Sequence, residues 1–170
     1  MPTSSSPHAA HPPHDKQALK QELIHLMAED LAVLERLHHD TASGATHEEA
    51  KSEGDKDTRA LEQTYLARGQ AQRITDLRAE LAEVRNMVLR DAGEDGPACV
   101  GALVQVEENG DEQLLFVASH GGGWSVGEGR IRVITPKSPL GEALIGLRAG
   151  DDCEVFIANR ARDISILHVW

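Results

Sequence analysis

Three carboxylates close to one glycine are the residues of this sequence best suited to chemistry. Glu53, Asp55 and Asp57 lie on either side of Gly54, and a glycine allows the backbone to turn sharply there. Carboxylate oxygens are hard ligands for Mg²⁺, an ion that keeps several waters and usually takes one or two protein carboxylates. The same residues are also typical of a solvated acidic loop, so the pattern leaves both interpretations open.

Two amphipathic helices flank these carboxylates, and Asp15 is a suitable N-cap for the first. Apolar residues recur at helical spacing at Leu19, Leu23, Leu26, Val33 and Leu37, and again at Ile74, Leu77, Leu81, Val84 and Val88. The segment 41–58 between them has almost no large apolar residue, so it cannot lie in a core. We therefore predict an antiparallel helical hairpin over residues 15–91 with its tip near 41–58. The period also fits a coiled coil between chains or part of a helical bundle.

The pattern changes to period two from residue 97 onward. Short runs rich in Val and Ile alternate with Gly- and Asn-containing turns, which predicts a small antiparallel sheet over residues 97–170. One helical piece interrupts it, with Ser138 as N-cap and Pro139 at the first helical position. The chain is thus predicted to be α+β, with residues 1–14 as a disordered tail because they carry Pro and Ser without an apolar period.

Composition excludes several classes of protein. The 28 acidic residues exceed the 17 Lys and Arg, giving a formal charge of −11, which disfavours direct binding to nucleic acid. Cys99 and Cys153 are too few for a disulfide scaffold, and their apolar surroundings indicate small buried side chains in a reducing compartment. No apolar run approaches the roughly 20 residues of a spanning helix. We expect a cytoplasmic protein without membrane contact.

One segment resembles a known family. Residues 138–155, SPLGEALIGLRAGDDCEV, are similar to the C-terminal domain of the Gre-type (GreA/GreB-like) transcript cleavage factors of bacterial RNA polymerase, whose pattern there is Ser-Pro-Leu-Gly-x-Ala-Leu-x-Gly. The hairpin resembles the family at Gly54-Asp55, and Tyr65 and Gln70 match family residues further along the chain. The resemblance covers residues 15–170.

The resemblance implies both an architecture and a partner. A helical coiled-coil hairpin would be followed by an FKBP-like domain that docks at the rim of the secondary channel of RNA polymerase, and Ser138, Pro139 and Leu140 are the candidates for that contact. The hairpin would enter the channel and bring tip acids to the catalytic Mg²⁺ of the polymerase, close to the transcript RNA. Asp55 and Asp57 are the candidates for catalytic and metal-binding residues, with Glu53 in reserve. The factor would need no cofactor of its own and would act as a monomer.

The sequence departs from the family at the tip. The family pairs an Asp with an acid three residues later, whereas Thr58 follows Asp55 and Ala60 follows Asp57 at that spacing. Two interpretations therefore stay open: an elongation factor that stimulates cleavage of backtracked transcripts, and a Gre-like regulator or inhibitor that binds without cleavage. Further alternatives are an interaction protein like the nucleoside diphosphate kinase regulator and a peptidyl-prolyl isomerase. For Ser138, Pro139 and Leu140, the alternative is that the first two cap a helix and the third belongs to the core.

Overall fold

The computed structural model describes residues 13–48, 56–90 and 96–170. The helices are α1 (Lys16–Glu48), α2 (Lys56–Asn86) and α3 (Pro139–Leu144). The strands are β1 (Leu103–Glu108), β2 (Asp111–Val117), β3 (Ser125–Val126), β4 (Ile131–Ile134), β5 (Asp152–Ile157) and β6 (Arg160–Val169). The chain divides into two compact units. One consists of residues Ile24–Ala82, and the other of Met1–Leu23 together with Glu83–Trp170. The predicted division of the sequence into a tail (1–14), a helical hairpin (15–91) and a sheet domain (97–170) stays a prediction.

Helix α1 begins where the sequence predicts. The Oδ1 atom of Asp15 accepts a hydrogen bond from the backbone N–H of Gln17 at 2.9 Å, which satisfies one of the unpaired donors of the first turn. The helix continues to Glu48 and α2 starts at Lys56, so both reach further into 41–58 than the sequence predicts. A helix that has already formed propagates readily through such residues, because adding one residue costs much less than nucleation.

Within the unit Ile24–Ala82, described side chains of the two helices form a short apolar stripe and include an ion pair between α1 and α2. Met27, Ile74, Leu77 and Leu81 are buried. Nη2 of Arg78 lies 2.6 Å from Oε1 of Glu35. The predicted stripe is wrong at Val33 and Leu37, which are 43% and 54% exposed.

The other unit contains the first residues of α1, the last residues of α2 and the whole sheet. Nζ of Lys20 donates to the carbonyl of Met87 at 2.7 Å, and Nζ of Lys16 donates to that of Arg90 at 2.6 Å. These bonds join the start of α1 to the segment that follows α2, so the two run antiparallel. Val88 is 67% exposed, contrary to the predicted stripe, because α2 ends at Asn86 and the helical period ends with it.

The six strands form one sheet in the order β3-β4-β2-β1-β6-β5. Four of its five pairings are antiparallel, and β2 pairs parallel with β4, with Leu114 opposite Ile131 and Val117 opposite Ile134. Helix α3 packs Leu140 and Leu144 on one face, in a core with Val104, Val106, Leu115, Val117, Ile164 and Ile166. The α+β class is confirmed, and the sheet is mixed rather than purely antiparallel.

Cys99 and Cys153 are free thiols, and both pack partly buried against this core. Within the described residues, no helix combines the length and the apolar character needed to cross a membrane.

Candidate functional site

The predicted tip acids lie almost wholly outside the described residues. Glu53 and Asp55 belong to the segment 49–55, which the structure does not describe. Asp57 is the second residue of α2, and its side chain is also outside the described part. Among the side chains that are described, no group of three or more His, Cys, Asp or Glu could hold a metal ion. The role of the tip acids toward Mg²⁺ therefore stays a prediction.

The predicted docking residues lie at the start of α3. Ser138 is its N-cap, with extended backbone angles of φ −81° and ψ 150°. Its hydroxyl donates to the carbonyl of Thr135 at 2.8 Å and accepts from the N–H of Gly141 at 3.1 Å. Pro139 occupies the first helical position, where a missing N–H costs nothing. Local sequence chemistry thus accounts for the placement of both residues.

Leu140 has a different role in the fold from its two neighbours. It is 7% exposed and belongs to the core of the sheet, whereas Pro139 is exposed. The structure therefore contains the capping and core contacts that the alternative interpretation describes. These contacts leave the docking prediction open, because Ser138, Pro139 and Leu140 all line one groove on the surface.

The groove has a volume of about 290 Å³ and lies between β4, the turn that follows it, the start of α3 and the end of β5. Its apolar lining includes Val133, Ile134, Leu140 and Ile157, and Gly122 and Gly123 form one rim. No aromatic side chain of the described residues lines it. An isomerase pocket of the aromatic type is therefore absent from this groove.

Two cations line the groove that sequence reasoning did not single out. The side chains of Arg132 and Lys137 are both exposed, and within the described part of the chain neither side chain makes a hydrogen bond or an ion pair. Strand β4 explains the position of Arg132, since Ile131 and Val133 are buried and the residue between them points to the opposite face. The alternation was readable from the sequence, but the parallel pairing that sets β4 beside β2 was not.

Among the residues that the structure describes, no carboxylate lines the groove. Since the chain as a whole has a formal charge of −11, the groove is an exception to its overall charge. Cations that lack internal partners and share an open groove favour a ligand or partner that carries negative charge.

Comparison with known proteins shows a sequence relationship along most of the chain. No protein-family model matches it. Over 159 residues it is 27% identical to Transcription elongation factor GreA of Streptococcus pneumoniae serotype 4, with 91% of each chain covered. The protein of the same name from serotype 2 is 27% identical over 157 residues, with the same coverage.

Solved structures of similar proteins include GreA factor homolog 1 (Gfh1) of Thermus thermophilus, with 16% identity, 93% of this chain and 96% of that chain covered, and a TM-score of 0.38. Gfh1 of Thermus aquaticus is 18% identical, covers 89% and 96%, and has a TM-score of 0.39. A TM-score under 0.5 does not by itself establish a common fold. The sequence similarity to GreA spans 91% of both chains, so this chain is similar to the Gre-type transcription elongation factors over most of its length.

Proposed function

We propose that the chain is a transcription elongation factor that binds RNA polymerase in its secondary channel. The observation that carries this proposal is the relationship to GreA over 91% of both chains. The arrangement of two long antiparallel helices followed by a sheet with α3 on one face supports it. The factor is an accessory protein that acts in the cytoplasm as a monomer and contacts the transcript only indirectly.

The tip of the hairpin contributes carboxylates to the polymerase's Mg²⁺ in this proposal. Asp55 and Asp57 are the two ligands, with Glu53 as the substitute if the register is shifted. Mg²⁺ usually takes only one or two protein carboxylates and keeps its remaining waters. A second metal ion held in this way would activate water for phosphodiester cleavage in a backtracked complex.

A second form of the function has support from the sequence itself. Thr58 and Ala60 stand where the family carries its second acid, so the tip lacks one carboxylate at the expected spacing. A factor with such a tip still binds the channel and regulates elongation, but it does not stimulate cleavage. Binding to the polymerase is common to both forms.

One experiment separates the two forms. Purified RNA polymerase with a backtracked transcript and Mg²⁺ is incubated with the full chain, and both binding and transcript shortening are measured. In the cleaving form, Asp55→Asn with Asp57→Asn abolishes shortening and leaves binding intact. A matched control exchanges two acids of α1, Asp30→Asn with Asp40→Asn, and leaves both readouts unchanged.

The other outcomes are equally informative. Binding without shortening by the unaltered chain selects the regulator. Shortening that survives the exchange at Asp55 and Asp57 overturns the assignment of the tip acids. Absence of binding to RNA polymerase overturns the proposed function in both forms.

A further inference from the structure

Asn109 and Gly110 form the turn between β1 and β2. Their φ angles are 54° and 87°, and Glu108 pairs with Asp111 directly across the turn. Two central residues with positive φ are typical of a type I′ turn, for which Asn-Gly is a favoured sequence. Both residues are exposed, and a Cβ atom added at Gly110 would meet no atom within 4 Å. The backbone nitrogen of Gly110 is therefore open to approach.

This turn places a carboxamide next to an unhindered backbone nitrogen. When the Gly110 N–H gives its proton to hydroxide, its nitrogen attacks Cγ of Asn109. A bond forms between these two atoms, the bond from Cγ to the side-chain nitrogen breaks, and that nitrogen takes a proton from water and leaves as ammonia. Water then opens the resulting succinimide ring. Cleavage at Cγ gives aspartate, and cleavage at the backbone carbonyl of Asn109 gives isoaspartate.

The hydrogen bonding of the turn leaves the attacking nitrogen free. In a two-residue turn, the residue after the turn donates its N–H to the carbonyl before it, so Asp111 makes this bond and Gly110 does not. Among the described residues, no backbone carbonyl accepts a hydrogen bond from the Gly110 N–H. Attack on Asn109 therefore requires no backbone hydrogen bond to open.

The two other asparagines of the chain, Asn86 and Asn159, lack this freedom. Asn159 also lies in a turn with positive φ, at 61°, but it is the second central residue, so the nitrogen that follows it belongs to Arg160. The N–H of Arg160 is the one that donates back across its turn. After Asn86, the N–H of Met87 donates to the carbonyl of Val84 at 3.2 Å.

We propose that Asn109 is a site of spontaneous deamidation in the folded protein, so that the end of the β1–β2 hairpin gains negative charge as the molecule ages. Carboxylates already face each other there, with Glu108 opposite Asp111 and Glu107 opposite Glu112. Like charges directly opposite each other on a sheet are unfavourable. The aspartate product keeps the turn, since Asp-Gly also favours type I′. The isoaspartate product adds a carbon atom to the main chain and disrupts it.

Ageing of the purified full chain tests the proposal. The protein is incubated at mildly alkaline pH, and tandem mass spectrometry of proteolytic fragments follows the gain of about 1 Da at each asparagine. We expect Asn109 to convert about tenfold faster than Asn159, because the hydrogen bond of Arg160 must open before attack there. Asn109→Gln should remove the fast conversion, because its longer side chain would have to close a larger ring. Conversion of Asn109 no faster than that of Asn159 overturns the proposal.

Arg160→Gly is the matched control for the residue that follows the asparagine. In this variant Asn159 also precedes a glycine, but the attacking nitrogen remains bonded across the turn. Asn159 should therefore still convert more slowly than Asn109 in the folded protein, and the two should convert at similar rates in urea. If they convert equally fast in the folded variant, the free N–H of Gly110 is not the cause and the proposal is overturned.

Thermal melting distinguishes the two products. Asn109→Asp should melt close to the unaltered chain, whereas aged protein that contains isoaspartate should melt at a lower temperature because its turn is disrupted. Asn109→Gln incubated for the same time should melt as it does when fresh, and circular dichroism verifies that each variant is folded. An aged chain that has formed isoaspartate at Asn109 and melts like the fresh chain contradicts the disruption of the turn.

Discussion

The hydroxyl of Ser138 accepts a hydrogen bond from the backbone N–H of Gly141 at 3.1 Å. It donates at the same time to the carbonyl of Thr135, so one side chain joins the end of β4 to the first turn of α3. The turn directs Leu140 into the core and leaves Pro139 at the surface. A local capping contact thereby determines the shape of one side of the candidate groove.

Loss of this cap should destabilise the protein modestly. Ser138→Ala removes the acceptor for the Gly141 N–H and is expected to lower the free energy of unfolding by about 1 kcal/mol. Ser138→Asp keeps an acceptor at the N-cap and is the control. Both are measured by urea denaturation monitored by circular dichroism. Equal stability of the alanine and aspartate variants would contradict the role of the hydroxyl.

Two glycines should respond in opposite directions to replacement by alanine. A Cβ atom at Gly141 would overlap the carbonyl oxygen of Thr135, whereas one at Gly69 would meet no atom within 4 Å. Gly141→Ala is therefore expected to destabilise the protein by about 1–3 kcal/mol. Gly69 lies exposed within α2, so Gly69→Ala should stabilise it by about 0.5–1 kcal/mol. Thermal melting measures both changes. If both variants were stabilised or both destabilised, the close contact at Gly141 or the open space at Gly69 would be contradicted.

Only the buried side chains of the helices within Ile24–Ala82 should contribute substantially to the free energy of unfolding. Leu77 is 2% exposed and Leu66 is 63% exposed, although both are leucines of α2. Leu77→Ala should cost about 2–5 kcal/mol because it leaves a cavity. Leu66→Ala should change the free energy of unfolding by less than about 0.5 kcal/mol. Chemical denaturation of the two variants checks this, and a large effect at Leu66 would show that this side chain is covered in solution.

Cys153 should react slowly with alkylating reagents at mildly alkaline pH. Burial, and to a lesser degree the adjacent carboxylate of Asp152, raises the pKa of its thiol. The reactive thiolate therefore forms only at higher pH than in an exposed cysteine. Asp152→Asn removes the negative charge and should shift the pH profile of iodoacetamide alkylation to lower pH. The profile should not reach that of a fully exposed cysteine, because the burial of the thiol remains.

A chain with Cys99→Ser isolates the signal of Cys153 in that experiment. Glu154→Gln is the matched control, since this carboxylate belongs to the same strand and is not a cause of the shift. A profile that moves equally in both variants would mean that general charge, and not Asp152, raises the pKa.

Features that depend on near neighbours in the chain could be predicted from the sequence. Asp15 and Ser138 are N-caps because their side chains bond to N–H groups two and three residues away. The segment 138–155 resembles the Gre-type family by its local sequence, and the similarity to GreA agrees with that resemblance. The tip acids Glu53, Asp55 and Asp57 are candidates from the sequence alone.

Features that depend on distant parts of the chain could be decided only by the tertiary structure. Val33 and Leu37 share the helical period of the buried stripe but are exposed, because burial requires a facing side chain and the period does not supply one. The alternation of β4 places Arg132 on the face of the strand opposite to that of Ile131 and Val133. The parallel pairing with β2 and the packing of α3 bring it to one groove with Lys137. Periodicity specifies the face of an element, and long-range packing specifies what that face meets.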